Sequence, residues 1–326
     1  MPGAPLEQLA QASGRAFPHL TRARAQTTEG LIACRARLQA LEHQADVSVV
    51  LMGSWGRAEL TSGSDDDFMV LLAGAERAQV RPSVEQVQTV LDRAPGDQGI
   101  FGAPVASEQL IEKIGLERDN NSNLSRRMLL LLESVHATGA QVHQAVRAQL
   151  VDRYLDHSVK GFRPPRFLLN DVIRYWRTIC VDFAGKEREG PHKWGLRNAK
   201  LRTSRKVLFA GGLLPVFECA WLEHAQMPAF LREQFDMSPT DRIAQAFLSH
   251  HAADPGGRAL GAYDDFLGLL DQAAFREELE GVTRESSKRS DAFGEAARLG
   301  KELEQGLSAL LFETSLYPLV REYGIF

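Results

Sequence analysis

Two aspartates separated by one residue stand at the start of an apolar segment, where they could hold a divalent cation. Asp65 and Asp67 precede the sequence FMVLLA, which predicts a buried strand. Residues i and i+2 of a strand point to the same side, so the two carboxylates project together. Adjacent carboxylates repel each other unless a cation lies between them. Because Mg²⁺ binds one or two carboxylates together with substrate phosphates, the pair predicts a site for Mg²⁺ or Mn²⁺.

A glycine and a serine follow the apolar segment that precedes these aspartates. Residues 47–52 (VSVVLM) predict a short buried strand, and Gly53 and Ser54 come directly after it. Glycine lets the backbone approach a phosphate closely, and backbone N–H groups with a hydroxyl can bind the anion. A phosphate site beside a carboxylate pair suits metal-assisted phosphoryl or nucleotidyl transfer. A run of aspartates alone is typical of a solvated turn, so the prediction depends on the whole pattern.

The segment GSWGRAEL, followed by SDDDFMV, resembles the signature of the DNA polymerase β nucleotidyltransferase superfamily. It looks especially like the branch with PII-uridylyltransferase and glutamine-synthetase adenylyltransferase, and the resemblance extends over residues 45–145. It implies a Mg²⁺-dependent enzyme that moves a nucleoside monophosphate from a triphosphate to an acceptor hydroxyl and releases pyrophosphate. It also implies that Asp65 and Asp67 are catalytic and bind two metal ions. The nucleotide-binding candidates in this segment are Gly53, Ser54, Arg57 and Ser64.

The family takes a third carboxylate from a later strand, and this sequence departs from that pattern. Residues 99–106 (GIFGAPVA) predict the later strand but contain no acid. Asp97 lies just before this segment and Glu108 just after it, and we prefer Asp97 as the third catalytic acid. Asp66 is expected on the opposite strand face, in a structural or solvent-exposed position.

Arg57 and Glu59 have two interpretations. They can pair with each other and fix the loop, which we favour slightly, or they can contact the substrate directly.

A basic segment lies further along the chain. Residues 151–210 contain 14 Lys and Arg against 6 Asp and Glu, in a protein whose net charge is -4. Residues 193–209 predict one helix on which Lys193, Arg197, Lys200 and Ser204 form a stripe. This stripe is either a solvated face or a set of cations that contact the triphosphate or a polyanionic acceptor. We therefore count Lys193, Arg197 and Lys200 as nucleotide-binding candidates.

Apolar periodicity predicts helices on both sides of the strands. The predicted helical segments are 5–44, 82–94, 119–139 and almost everything after residue 145, with loops at 252–263 and 277–291. We predict an α+β protein in which a small mixed-sheet nucleotidyltransferase domain precedes an all-helical domain. The predicted parts are an N-terminal helical segment that packs on the core (1–44), the nucleotidyltransferase domain (45–145) and a helical domain that helps to select the acceptor (146–326).

Composition narrows the classes of function. The three cysteines (Cys34, Cys180 and Cys219) are odd in number and widely spaced, which predicts reduced thiols rather than a zinc site. The N-terminus lacks the apolar region of a signal peptide, and no apolar run is long enough to span a bilayer. We therefore expect a cytoplasmic protein without a membrane partner. No Walker A loop, Rossmann fingerprint, HExxH motif or nucleophile elbow is present.

The sequence leaves the acceptor open, because a protein side chain, a small molecule and an RNA 3′ end all fit. Two other classes of function also stay open. One is a non-catalytic nucleotide-sensing module that lacks a working third acid. The other is an RNA-binding protein that uses the basic helix, whose binding would depend steeply on salt.

Overall fold

The computed structural model describes residues 4–93, 95, 100, 102–117, 119–156, 161–190 and 193–324. The strands are β1 (Val47–Met52), β2 (Phe68–Leu72), β3 (Val105–Ala106) and β4 (Ser134–His136). The earlier helices are α1 (Pro5–Ser13), α2 (Pro18–Leu38), α3 (Ser54–Arg57), α4 (Val84–Val90), α5 (Ser107–Ile111), α6 (Asn121–Leu132) and α7 (Ala140–Leu155). The later helices are α8 (Arg166–Glu189), α9 (Trp194–Arg202), α10 (Ser204–Glu218), α11 (Met227–Asp236), α12 (Pro239–Ser249), α13 (Ala253–Leu270), α14 (Ala273–Gly281), α15 (Asp291–Phe312) and α16 (Tyr317–Tyr323).

The four strands form one mixed sheet in the order β3-β2-β1-β4. β1 is antiparallel to β2 and to β4, whereas β3 runs parallel to β2. The β1–β2 register pairs Leu51 with Phe68, and the Met52 N–H donates to the Asp67 carbonyl over 2.8 Å. The pairing therefore continues to the position of Asp67. The structure confirms an α+β protein that is rich in helix and contains a small mixed sheet.

Both faces of the sheet are covered, which explains why β1 is apolar along its whole length. Val50 and Met52 belong to the larger apolar cluster, while Val49 and Leu51 belong to a second cluster on the other face. The larger cluster also contains residues from both ends of the chain, such as Leu6. Helices α1 and α2 pack against C-terminal helices, with α1 contacting α12 and α13 and α2 contacting α13.

Helix α13 occupies the segment 252–263, where the sequence predicted a loop; that prediction was wrong. The glycines that suggested turns instead permit close helix packing. A Cβ added to Gly256 would lie 2.6 Å from the Phe247 ring, and one added to Gly261 would lie 2.2 Å from Arg15 Nε. Glycine occurs both in turns and at close contacts between helices, and the sequence alone does not distinguish the two because the difference depends on the packing partner.

Three further elements differ from the predicted bounds. The helix predicted over 119–139 ends at Leu132, because residues 134–136 pair with β1 as strand β4. The helix predicted over 5–44 is divided between Ser13 and Pro18. In the predicted loop 277–291, α14 continues to Gly281 and a short 3-10 turn follows. Among the described helices, none is long and apolar enough to cross a membrane.

Candidate active site

The turn after β1 brings Gly53 beside Asp67. Gly53 has φ 64° and ψ -126°, a conformation that glycine adopts readily and other residues rarely do. A Cβ at this position would lie 3.0 Å from Asp67 Oδ2. The backbone at Gly53 therefore passes next to the Asp67 carboxylate, and Ser54 begins α3 immediately afterwards.

A cleft of about 80 Å³, which we call the Asp65 cleft, collects seven of the ten predicted nucleotide-binding and catalytic residues. The predicted residues that line it are Gly53, Ser54, Arg57, Ser64, Asp65, Asp67 and Lys200. The other lining residues are Glu59, Thr61, Ser204, Arg205, Leu267, Leu270 and Arg276. The cleft thus places three carboxylates, several hydroxyl groups and several cations together.

The three consecutive aspartates alternate in position, as successive residues of a strand do. Asp65 is exposed and Asp67 is half-buried, and both line the Asp65 cleft. Asp66 is buried and accepts hydrogen bonds from Trp55 Nε1 (3.0 Å) and from the Arg93 N–H (2.9 Å). The structural role expected for Asp66 is confirmed.

Besides Arg57, three cations line the cleft with the aspartates, and we call Lys200, Arg205 and Arg276 the cation cluster. Lys200 lies in the last turn of α9, Arg205 in the first turn of α10, and Arg276 in α14. Burial and the neighbouring Arg276 and Arg205 lower the pKa of Lys200 to about 8. The Lys200 ammonium is therefore close to losing its proton under mildly alkaline conditions.

A break at Thr203 creates this arrangement, and the single helix predicted over 193–209 was wrong. Thr203 has φ -122° and ψ -90°, and its hydroxyl donates to the Ala199 carbonyl over 2.7 Å. The break separates α9 from α10, and Lys200 before it and Arg205 after it both line the Asp65 cleft.

Only part of the predicted basic stripe lines the Asp65 cleft. Lys193 and Arg197 are not among the lining residues, whereas Lys200 and Ser204 are. Lys193 directly precedes α9 with a φ of 52°, and it forms an ion pair with Glu280 over 3.0 Å.

The loop that precedes Asp65 contacts the chain segment between α13 and α14. The Ser62 N–H donates to Asp271 Oδ1 (2.8 Å), and the Ser62 hydroxyl donates to the Asp271 carbonyl (3.1 Å). The Arg276 guanidinium packs on Gly63, where a Cβ would lie 2.7 Å from it, and Arg276 Nε is 3.3 Å from Glu280 Oε1. The position of Asp65 therefore depends on residues more than two hundred positions away.

A buried ion network supports the floor of the cleft. Arg57 Nε donates to Glu59 Oε2 over 2.8 Å, and Arg57 Nη1 pairs with Glu133. The second oxygen of Glu133 is 3.5 Å from Arg205 Nη1. Burial opposes the charge on Arg57, yet Glu133 and Glu59 hold its pKa well above the usual range. The favoured interpretation, in which Arg57 pairs with Glu59, is confirmed.

The structure limits the choice of a third acid. Asp97 lies outside the described residues. Glu108 is exposed and follows β3, which pairs with the Leu72 end of β2, and its N–H bonds to the Gly74 carbonyl. That end is roughly 16 Å along the strand from Asp67. Glu108 is therefore outside the Asp65 cleft, and the alternative that it supplies the third acid is not supported.

The donors in the cleft suit a hard cation that is completed by substrate oxygens. Among the described residues, no three His, Cys, Asp or Glu side chains form a metal-binding group. Asp65 and Asp67 are nevertheless two carboxylates beside the hydroxyls of Ser54 and Ser64. Mg²⁺ needs only one or two carboxylates when phosphates and waters fill its other positions. No protein-family model, curated protein or solved structure matches this chain.

Proposed function

We propose that this chain is a Mg²⁺-dependent nucleotidyltransferase, which moves a nucleoside monophosphate from a nucleoside triphosphate to an acceptor hydroxyl. The observation on which the proposal depends is one cleft that holds Asp65 and Asp67 opposite the cation cluster. Carboxylates bind the cation, and lysine and arginine bind the phosphates. The resemblance of the segment from Gly53 to Val70 to the polymerase β-type signature supports the same function.

Each group of the cleft has a part in this reaction. Asp65 and Asp67 would hold Mg²⁺, which neutralises phosphate charge when it is bound. The Ser54 hydroxyl and the backbone at Gly53 would bind phosphate oxygens. A bond forms between the acceptor oxygen and the α-phosphorus, the acceptor hydroxyl gives its proton to water, and the bond from that phosphorus to the bridging oxygen breaks. The cation cluster stabilises the charge that develops on the leaving pyrophosphate.

Calorimetry tests this proposal directly. We expect one or more of ATP, GTP, CTP and UTP to bind the purified protein in the presence of Mg²⁺ and to bind much more weakly in its absence. The triphosphate that binds most tightly then identifies the donor for an acceptor search among proteins, small molecules and RNA 3′ ends. Failure of all four triphosphates to bind would contradict the proposal.

Arginines of the cation cluster should matter for affinity, whereas Lys193 should not. We expect Arg205→Gln and Arg276→Gln each to weaken triphosphate binding by about tenfold or more, because each loses a charge-assisted hydrogen bond. Lys193→Gln removes a similar charge from a residue that pairs with Glu280 outside the lining of the cleft. Calorimetry on the three variants measures the difference, and an equal loss in Lys193→Gln would contradict this assignment.

Triphosphate affinity should fall with pH because of Lys200. Its pKa of about 8 means that the side chain is charged at pH 7 and largely neutral at pH 9. We expect the Kd to rise by up to about tenfold across that range, since the neutral amine no longer attracts phosphate. In Lys200→Arg the guanidinium stays protonated, so this part of the pH dependence should disappear. Titrations at pH 7, 8 and 9 with both proteins check the result, and a flat wild-type profile would exclude it.

A non-catalytic nucleotide-sensing module is the second candidate. It is favoured by the observation that, in the described part of the chain, no third acid joins Asp65 and Asp67 in a metal-binding group. A sensor would bind the triphosphate with Mg²⁺ but would release no pyrophosphate with any class of acceptor. A pyrophosphate assay with protein, small-molecule and RNA acceptors separates the two functions.

A further inference from the structure

Glu59 is a buried carboxylate in the lining of the Asp65 cleft, and only one of its oxygens is bonded. Its side chain is 1% exposed. Oε2 accepts hydrogen bonds from Arg57 Nε (2.8 Å) and from the Tyr263 hydroxyl (2.7 Å). Oε1 has no hydrogen-bond partner among the described residues. Of the unpartnered buried side-chain atoms in that part of the chain, Oε1 is the one that belongs to a residue of this cleft.

An unbonded carboxylate oxygen at a buried position needs a physical explanation. Buried polar atoms nearly always have a hydrogen-bond partner, and leaving an acceptor without a donor destabilises the folded protein. The two donors on Oε2 fix the carboxylate, so Glu59 cannot turn away to satisfy Oε1 elsewhere. Because Glu59 lines the Asp65 cleft, a group that enters the cleft can supply the missing donor.

The chemistry of the possible occupants selects a hydroxyl group. Phosphate oxygens are acceptors and cannot donate to Oε1. Glu59 is also not part of a three-acid metal group with Asp65 and Asp67 among the described residues. The reactants of a nucleotidyl transfer bring several donors, and those next to the phosphates are hydroxyl groups: the attacking hydroxyl of the acceptor and the ribose hydroxyls of the triphosphate.

We infer that Glu59 Oε1 accepts a hydrogen bond from a hydroxyl group of the reactants bound in the Asp65 cleft. The inference rests on the proposed function. If the partner is the attacking hydroxyl, Glu59 orients its oxygen toward the α-phosphorus and lies where the hydroxyl proton departs. If the partner is a ribose hydroxyl, Glu59 selects ribonucleotides over deoxyribonucleotides.

Glu59→Gln tests this inference with almost no change in side-chain volume. Arg57 and Tyr263 both donate to the position of Oε2, so the amide oxygen must occupy it. The amide NH₂ then takes the place of Oε1, and an acceptor becomes a donor. The experiment measures two quantities for the wild type and the variant. One is the Kd of the preferred triphosphate and of its 2′-deoxy and 3′-deoxy forms, with Mg²⁺; the other is the rate of pyrophosphate release with water or glycerol as the acceptor.

Two results would support the inference, and they identify the source of the hydroxyl. For an attacking hydroxyl, pyrophosphate release falls by about a hundredfold or more while every Kd stays the same. For a ribose hydroxyl, the wild type prefers the ribonucleotide over a deoxy form by about tenfold, and Glu59→Gln loses that preference.

Glu112→Gln is the matched control, because it makes the same replacement at an exposed carboxylate that is not in the lining of the Asp65 cleft. We expect its rate and Kd values to remain within about twofold of the wild type. An equal loss in Glu112→Gln and Glu59→Gln would overturn the inference, because the loss would then not come from the contact at Oε1. Unchanged rates and Kd values in Glu59→Gln would overturn it as well. A wild type that binds no triphosphate would instead contradict the proposed function, so the two failures are distinguishable.

Discussion

Replacing both Asp65 and Asp67 by alanine should abolish Mg²⁺-dependent triphosphate binding while the protein stays folded. The two carboxylates are the acids expected to hold the cation, so their loss should reduce affinity by about a thousandfold, equivalent to roughly 4 kcal/mol. Asp65 is exposed and Asp67 is half-buried. Removing the two carboxylates relieves their mutual repulsion but also takes the counter-charges from the cation cluster, so we expect only a small change in Tm. Calorimetry and thermal unfolding of the same samples check both halves of the result.

Asp66→Ala is the control for this experiment, because it should have the opposite pair of effects. It leaves the Trp55 indole N–H and the Arg93 backbone N–H without their acceptor. Each unsatisfied buried donor costs about 1–3 kcal/mol, so the Tm should fall clearly. Below that Tm, triphosphate binding should persist. Binding that survives in the Asp65→Ala/Asp67→Ala protein would mean that the carboxylate pair is not the cation site.

Gly56→Ala should strongly destabilise the protein, because the added methyl group would collide with backbone. A Cβ at Gly56 would lie 2.0 Å from the Glu133 carbonyl oxygen and 2.4 Å from the Ser134 nitrogen. These are backbone atoms at the end of α6 and the start of β4, and they cannot rotate away as a flexible side chain can. Helix α3 would have to move off the sheet, taking Ser54 and Arg57 with it. We expect a loss of at least about 4 kcal/mol, or failure to fold.

Gly294→Ala provides the matched comparison, since it adds the same methyl group to an open site. Gly294 lies inside α15, is exposed, and has no atom within 4 Å of an added Cβ. Alanine in a helix interior is favoured over glycine by up to about 1 kcal/mol, so this variant should be slightly more stable than the wild type. Denaturant unfolding of both variants measures the contrast. A Gly56→Ala protein with near wild-type stability would show that α3 is free to shift.

The sequence was sufficient to predict the part of the site that depends on short-range pattern. Strands β1 and β2 were expected from apolar runs, and the position of Gly53 and Ser54 before the aspartate pair followed from the spacing. The alternation that separates Asp66 from its neighbours follows from strand geometry. Each of these features depends on a sequence segment of about twenty residues, in which the local structural propensity agrees with the tertiary structure.

Features that depend on distant partners could not be predicted in this way. Arg276 reaches the cleft because α14 packs beside the Asp65 loop, and no spacing rule connects residues so far apart. The break at Thr203 interrupts an otherwise regular helical pattern, and no glycine or proline at that position marks it in the sequence. Glu59 and Glu133 could have been suspected only as partners for Arg57. Their positions could not be predicted, because they depend on the tertiary contacts that the two carboxylates make with buried arginine.

The contact between Ser62 and Asp271 has a consequence for recombination. The segment proposed to bind the metal and its counter-charges are far apart in the sequence, and Asp271 and Arg276 support the loop that leads to Asp65. Transferring residues 45–145 to another helical protein would carry the carboxylates without the cations that balance them. Residues 45–145 therefore cannot be exchanged as an independent unit. A gene fusion that divided them from α13 and α14 would separate the carboxylates from residues that line the same cleft.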